Sequence, residues 1–307
     1  MRTQVSEALV TLARRYIRAA PLPVGKALLA SHYLNPHLRE HPRQRVTETG
    51  FGARVAVDTQ DLIQRYVYLF GVWEPYMTGW LRRRLRPGDT YIDVGANIGY
   101  YTLLAAKLVG DRGQVVAVEA SPVFHRHLLR NVGLNDYRNV RAINGAVSDT
   151  ERVLKFVLAS SANMGANSIV PYEGPAESTF EIKAQPLPAL LTAGEIARAR
   201  VIKIDVEGAE GSVIRGMAPL LPRLRHDAEI TVEVTPTRMA QLGDSVDELM
   251  ETMRAHGFHA YRLVNDYTPG SYVEALEGAG RVPERLVGPV AGESDLVFSR
   301  VDADRLP

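Results

Sequence analysis

From about residue 90 onward, short apolar strands alternate with helical segments, and this rhythm most constrains the fold. Tyr91-Ile92-Asp93-Val94 is a brief apolar run, followed by a glycine-rich turn and a helix from about Tyr100 to Val109. Gln114–Val118 is a second strand, and Ser121-Pro122 opens the next helix with a capping side chain and a proline in the first turn. Arg141–Val147, Val201–Ile204, Glu229–Val234, Phe258–Val264 and Asp295–Ser299 read as further strands, with a helix after Gly208 and another over Val246–His256. Such alternation builds right-handed βαβ units, hence an α/β fold with a mostly parallel sheet covered by helices on both faces.

The N-terminal part has another character. Val5, Ala8, Leu9, Leu12, Ala13, Tyr16 and Ile17 mark one face of a helix that Pro21 stops, and Arg14, Arg15 and Arg18 mark the opposite face. Packing of the apolar face on the main domain is the expected role, a membrane-surface role the alternative. Residues 35–45 read as a loop, Gly50–Val57 and the aromatic run Tyr66–Phe70 as strands, and Met77–Leu85 as a helix ended by Pro87-Gly88. Residues 152–190 interrupt the alternation with two β-like runs around the polar stretch Ser160–Ser168.

Composition excludes several classes. The chain has 307 residues, 36 basic and 35 acidic side chains and a formal charge of +1, so no bulk field draws it to nucleic acid. With no cysteine there are no disulfides, thiolate nucleophiles or cysteine-held metals, and a reducing cytoplasm is the natural expectation. No apolar run approaches the roughly 20 residues that span a bilayer, and Glu7 with the nearby arginines interrupts any signal-peptide core. Neither G-x-S-x-G nor G-x-x-x-x-G-K-[ST] occurs, and His125, His127, His256 and His259 read as ordinary surface histidines.

In open α/β sheets ligands sit beyond the carboxyl ends of the strands. The first strand runs into Asp93-Val94-Gly95-Ala96-Asn97-Ile98-Gly99, whose glycines permit a tight turn and a close ligand. Asp93 would repel a pyrophosphate but suits a cationic amino acid. Glu119, at the end of the second strand, is placed to accept from ribose hydroxyls, and Ser148-Asp149, after the third, from an adenine amino group. A ribose, a base and a positive charge without phosphates describe S-adenosylmethionine. Alternatively, Glu119 and Asp149 only serve helix N-termini. Asp205 and Glu207 follow the fourth strand, two apart and on one side if the strand stays extended. Glu233 stands in the apolar run Thr231-Val232-Glu233-Val234, costly unless paired or ligating. Asp205 and Glu233 are therefore candidates for general bases or for a hard-cation site that would suit Mg2+, and pairing of Glu207 or Glu233 with Lys203 or an arginine is the alternative.

These residues resemble the FkbM family of S-adenosylmethionine-dependent methyltransferases. The resemblance rests on Asp93–Tyr100, Val118–Pro122, Ala146–Asp149 and Ile202–Glu210, with the lead-in Gly71-Val72-Trp73-Glu74-Pro75, and covers roughly residues 50–300. It implies a Rossmann-like class I methyltransferase fold, a seven-stranded mostly parallel sheet whose last strand, near Asp295–Ser299, is antiparallel. It divides the chain into a helical extension (1–48), a β/helical lead-in (49–88), a methyltransferase domain (89–300, with the 152–190 insertion near the acceptor) and a tail (301–307). Asp93, Gly95, Asn97 and Gly99 would hold the methionine end, Glu119 and Ser121 the ribose side, and Asp149 the adenine. Asp205 would border the cofactor and act as base or, with Glu233, as metal ligand, with Glu207 and Glu233 as further bases. The implied reaction is O-methyl transfer to a hydroxyl of a sugar or natural product. Glu74 is a candidate acceptor contact, as are Asn163, Asn167 and Ser168, for which a plain polar surface loop is the leading alternative, and the N-terminal helix and the insertion are the expected pocket walls. The implied partners are a small hydroxylated acceptor and a second copy of the chain, not nucleic acid. Two rivals share the sheet: a non-catalytic cofactor-binding module and a nicotinamide-dependent oxidoreductase, the latter disfavoured by Asp93 and by Asn97 at a position where the dinucleotide loop carries glycine.

Overall fold

The computed structural model describes residues 7–20, 24–158, 178–278 and 280–307. The chain opens with α1 (Glu7–Ala19), α2 (Lys26–Leu28), a π-helical stretch (Leu29–Leu34) and α3 (Asn35–Glu40), then the hairpin β1 (Gln44–Glu48) and β2 (Arg54–Asp58), and α4 (Leu62–Phe70) and α5 (Pro75–Arg84). The alternating part follows: β3 (Thr90–Val94), α6 (Tyr100–Val109), β4 (Gln114–Glu119), α7 (Pro122–Gly133) and β5 (Val140–Asn144). Next come β6 (Ala146–Val147), β7 (Arg152–Leu158), β8 (Ser178–Gln185), α8 (Leu187–Leu190), α9 (Ala193–Arg198), β9 (Ala199–Ile204), α10 (Glu210–Met217) and a 3-10 turn (Ala218–Arg223). The chain ends with β10 (Glu229–Val234), α11 (Pro236–Gln241), α12 (Val246–Ala255), β11 (His259–Leu263), α13 (Pro269–Glu277), β12 (Glu284–Arg285) and β13 (Ser294–Ser299).

The main sheet has the order β12-β11-β13-β10-β9-β3-β4-β5. β5, β4, β3, β9 and β10 are mutually parallel, and β13 inserts antiparallel between β10 and β11. This is the expected arrangement, with the two-residue β12 added at one edge. Alternate side chains along each strand feed two cores, as a pleated strand buried on both faces requires. Tyr91, Val115, Val201 and Val297 pack beneath α4, α5 and α6, whereas Ile92, Val116, Ile202 and Leu296 pack beneath α10 and α12.

Several local expectations are corrected. Tyr66–Phe70 is helical: the Asp61 carboxylate caps the start by accepting from Gln64 N, and Gly71 closes the helix in the left-handed region. Seven consecutive residues there are buried, so burial is not confined to one face of the helix. Residues 35–40 form a helix with Pro36 in its first turn rather than a loop. The strand expected over Gly50–Val57 is the hairpin β1–β2, whose register from Gln44↔Asp58 to Glu48↔Arg54 crosses the expected boundary at residue 48. Val10 and Ile17 share one core with Tyr91 and Leu306, so the N-terminal segment packs as part of the main body. The third strand stops at Asn144, and β6 leaves it for a separate sheet with β8 and β7. No helix among the described residues is long and apolar enough to cross a membrane.

Candidate functional site

The carboxyl ends of β3, β4, β9 and β10 open into one cavity, where the main chain turns sharply. Gly95 and Gly99 have φ of 85° and 89°, and Asn97, the non-glycine between them, has φ 52°. At Gly95 a Cβ would lie 1.8 Å from the Asp205 carbonyl oxygen, so β3 and β9 approach as closely as they do only because the residue is glycine. Gly99 faces Leu128 instead and starts α6.

Glu119 spans the next gap. Its Oε2 accepts from Asn97 N at 2.7 Å and its Oε1 from Ser121 N at 2.8 Å, tying the glycine loop to the start of α7. Burial pushes the Glu119 carboxyl up to about 7 despite these amides. Between pH ~4.5 and ~7 the folded carboxyl keeps a proton that the unfolded chain has lost. The ligand-free protein therefore loses stability as pH rises through this window, by at most about 3 kcal/mol from this group. Glu119→Gln should accordingly melt with the native protein near pH 4 and above it at pH 8. A melting difference independent of pH would contradict this.

Behind the cavity floor lies a set of buried acids around Lys203. The Lys203 Nζ donates to Asp205 Oδ2 at 2.7 Å and sits 5.2 Å from the Tyr101 ring. Burial opposes its charge, but Asp205, Asp93 and Glu74 hold the ammonium above the ordinary lysine range. Asp93, paired in register with Lys203 across β3 and β9, accepts from Thr102 Oγ1 at 2.6 Å. Glu74 accepts from the Tyr101 and Tyr267 phenols, the latter at 2.9 Å, and is buried with φ 40°. Asp295, opposite Glu233 in the β10–β13 register, accepts from Asn265 Nδ2 at 2.6 Å. Glu233 lines the cavity, and its carboxylate has no hydrogen-bond partner among the described residues. Burial, then Asp205, Asp295 and Glu74, raise its pKa well above the carboxylate range.

Gly95, Asn97, Glu119, Asp205, Glu207, Glu233 and Glu74 thus meet at one cavity. Others are placed differently. Asp93 lies beneath the floor and does not line the cavity; it supports the loop through Thr102. The Ser121 hydroxyl caps α7 by accepting from Phe124 N, and Gly99 packs on Leu128. Asp149 is drawn away by Arg215 at 3.2 Å and Arg152 at 3.4 Å, so backbone and side chains at Gly145, Ala146 and Phe156 form the wall at that end of the cavity. Glu207 does not continue an extended strand: β9 ends at Ile204, Glu207 has φ 58°, and its carboxylate pairs with Arg238. Each Glu74 oxygen accepts from a phenol, so Tyr101 and Tyr267 fix this side chain at the cavity edge. Asn163, Asn167 and Ser168 lie outside the described residues. The insertion does contribute Leu154 and Phe156 to the wall, whereas α1 packs on α4 and supplies no lining residue.

Lys203, Asp295, Arg238 and the stacked pair Trp73–Tyr267 (ring centroids 5.4 Å apart) were not singled out as functional from the sequence. A lysine in the apolar run Val201-Ile202-Lys203-Ile204 was the available signal.

Six carboxylate residues line the cavity against Arg238, the one basic side chain in the lining among the described residues. Such a surface suits a sulfonium and an ammonium and opposes a pyrophosphate. The Gly95 cradle, Glu119 where a ribose can be held, and the apolar Ala146–Phe156 wall for a base fit S-adenosylmethionine. For Mg2+ the fit fails: Lys203 occupies the Asp205 carboxylate, and no group of three or more His, Cys, Asp or Glu among the described residues could hold a metal ion.

The Methyltransferase FkbM domain model matches residues 93–260, more than half of the chain, and a protein-L-isoaspartate(D-aspartate) O-methyltransferase model matches residues 35–150. The hexuronic acid methyltransferase AglP of Haloferax volcanii is 26% identical over 222 residues, covering 71% of this chain and 88% of that protein. Protein-L-isoaspartate O-methyltransferase 1 of Archaeoglobus fulgidus is 38% identical over 61 residues, 20% of this chain and only 28% of the relative's length. Among solved structures, Aeropyrum pernix fibrillarin with bound S-adenosyl-L-methionine aligns at 13% identity and TM-score 0.41 over 83% of this chain and 81% of that one. On the match to the Methyltransferase FkbM domain over residues 93–260, with which the sheet order agrees, the chain belongs to the FkbM methyltransferase family and is an S-adenosylmethionine-dependent methyltransferase.

Proposed function

We propose that the protein transfers the methyl group to a hydroxyl of a sugar or related small molecule, with Glu233 as general base. The observation that carries this reading is the Glu233 carboxylate, open to the cavity and unbonded among the described residues, with its proton affinity raised by burial and by the neighbouring Asp205, Asp295 and Glu74. S-adenosylmethionine, when bound, supplies an electrophilic methyl group. Gly95, Asn97 and Glu119 hold the cofactor's position, while Trp73, Tyr267 and the β7 wall exclude water and orient the acceptor. A neutral hydroxyl is a weak nucleophile, so a base that removes its proton during transfer lowers the barrier. An open base also favours catalysis over a binding-only module, for which no such group is needed. The hexuronic acid named for the Haloferax relative supports a sugar acceptor.

A second reading, transfer to a carboxylate, is favoured by Arg238, the basic lining residue among those described, and by the isoaspartate named for the Archaeoglobus relative. A carboxylate needs no base. Incubation with methyl-labelled cofactor and a panel of neutral sugars and uronates separates the two: a base-stable methyl ether is expected. A base-labile methyl ester as sole product would replace the hydroxyl reading by the carboxylate one.

A further inference from the structure

Five carboxylates, Glu74, Asp93, Asp205, Glu233 and Asp295, gather behind and at the cavity floor from five different segments. Glu74, Asp93 and Asp295 are less than a tenth exposed. Uncompensated burial of so many acids is costly. In small-molecule transferases with oxygen-rich sites a hard divalent cation provides the compensation, and it needs carboxylates that converge on one point with free lone pairs. Here the convergence point is already taken. Lys203 projects from the central strand β9, is 5% exposed, and puts Nζ 2.7 Å from Asp205 Oδ2. On one side its strand neighbour is Asp93 of β3; on the other, β10 carries Glu233 two residues beyond its own partner Thr231. Glu74 is held in place by Tyr101 and Tyr267, and Asp295 by Asn265.

We propose that the Lys203 ammonium is the resident cation of this acid cluster, a positioning residue that takes the place of a divalent metal and keeps Asp205 and Glu233 aimed at the cavity. The inference deepens the hydroxyl-transfer reading and rests on it for its catalytic meaning, but its test needs no acceptor. A tethered cation has a consequence that an ordinary buried ion pair lacks: its removal leaves both a charge deficit and a space that a free cation can fill.

The full chain, saturated with S-adenosylhomocysteine, is melted with and without millimolar MnCl2. The native protein and Lys203→Arg are expected to melt alike in both conditions. Lys203→Ala is expected to melt lower by about 5 °C or more, because the remaining buried charges lose their partner. Mn2+ should restore part of that loss, and the restoration should vanish when Asp205→Asn is added. Saturable Mn2+ stabilisation of the native protein that Asp205→Asn removes would overturn the proposal by making the acids a metal centre. A Lys203→Ala protein that is destabilised yet indifferent to Mn2+ would overturn it too, reducing Lys203 to a structural ion pair. If Lys203→Ala does not fold, Lys203→Met in the same assay decides between these outcomes. A failure to find any methylated hydroxyl would sink the proposed reaction while leaving this readout intact.

Discussion

Gly95→Ala is expected to abolish measurable S-adenosylhomocysteine binding and to destabilise the protein by about 3 kcal/mol or more. The added Cβ would lie 1.8 Å from the Asp205 carbonyl oxygen and 2.9 Å from its carbon, both main-chain atoms. Neither strand can retreat. Asp205 N donates to Val94 O at 3.0 Å, and the Gly95 and Ala96 amides both donate to Val118 O, so the loop is fastened to β4 and β9 at once. The φ of 85° adds a conformational cost that any side chain would meet. Gly133→Ala is the matched control, since a Cβ there meets nothing within 4 Å. Calorimetric titration and thermal melts of the two variants check the contrast; native-like affinity in Gly95→Ala would mean that the loop is not the cofactor cradle.

Glu233→Gln should lower kcat by roughly 10²–10⁴-fold, the range of a positioned general base. Its affinity for S-adenosylhomocysteine should stay within about threefold of native, because the glycine loop and Glu119 rather than Glu233 would hold the cofactor. The acid limb of the native pH–rate profile, set by a carboxyl raised by burial and by Asp205, Asp295 and Glu74, should disappear in the variant. Glu207→Gln provides the comparison. The Glu207 carboxylate is paired with Arg238, and its loss should cost less than tenfold, mainly through positioning. Full activity in Glu233→Gln would remove the base from the account and favour a carboxylate acceptor.

How much of this was legible in the sequence follows from the range of each interaction. The tight turn at Gly95 and the place of Glu119 at a strand end are readable because their geometry is local: a strand, a tight turn and a helix start within a few residues. The parallel sheet and its antiparallel last strand followed from alternation together with the family resemblance. The pairing of Asp149 is not legible in the sequence, because its partner, Arg215, lies on α10, 66 positions away, and no local pattern announces that ion pair. Glu207 was assumed to share a face with Asp205, but β9 stops at Ile204 and the following turn passes through the left-handed region. The Tyr66–Phe70 run reads as a strand because aromatic residues favour strands; the cap at Asp61 and the left-handed Gly71 that delimit the helix lie outside those five residues. Asp295 could not be connected with Glu233 before the β10–β13 register was known, although its charge helps raise the pKa of the Glu233 carboxyl.

The central claim is that the acid-lined cavity at the strand ends is built for S-adenosylmethionine. Its most direct test is calorimetric titration of the purified chain with S-adenosylhomocysteine and, separately, with NADH. Saturable S-adenosylhomocysteine binding that Glu119→Ala abolishes, with no heat from NADH, is the expected result. Binding of NADH in preference, or S-adenosylhomocysteine binding untouched by Glu119→Ala, would contradict the site as it is drawn here.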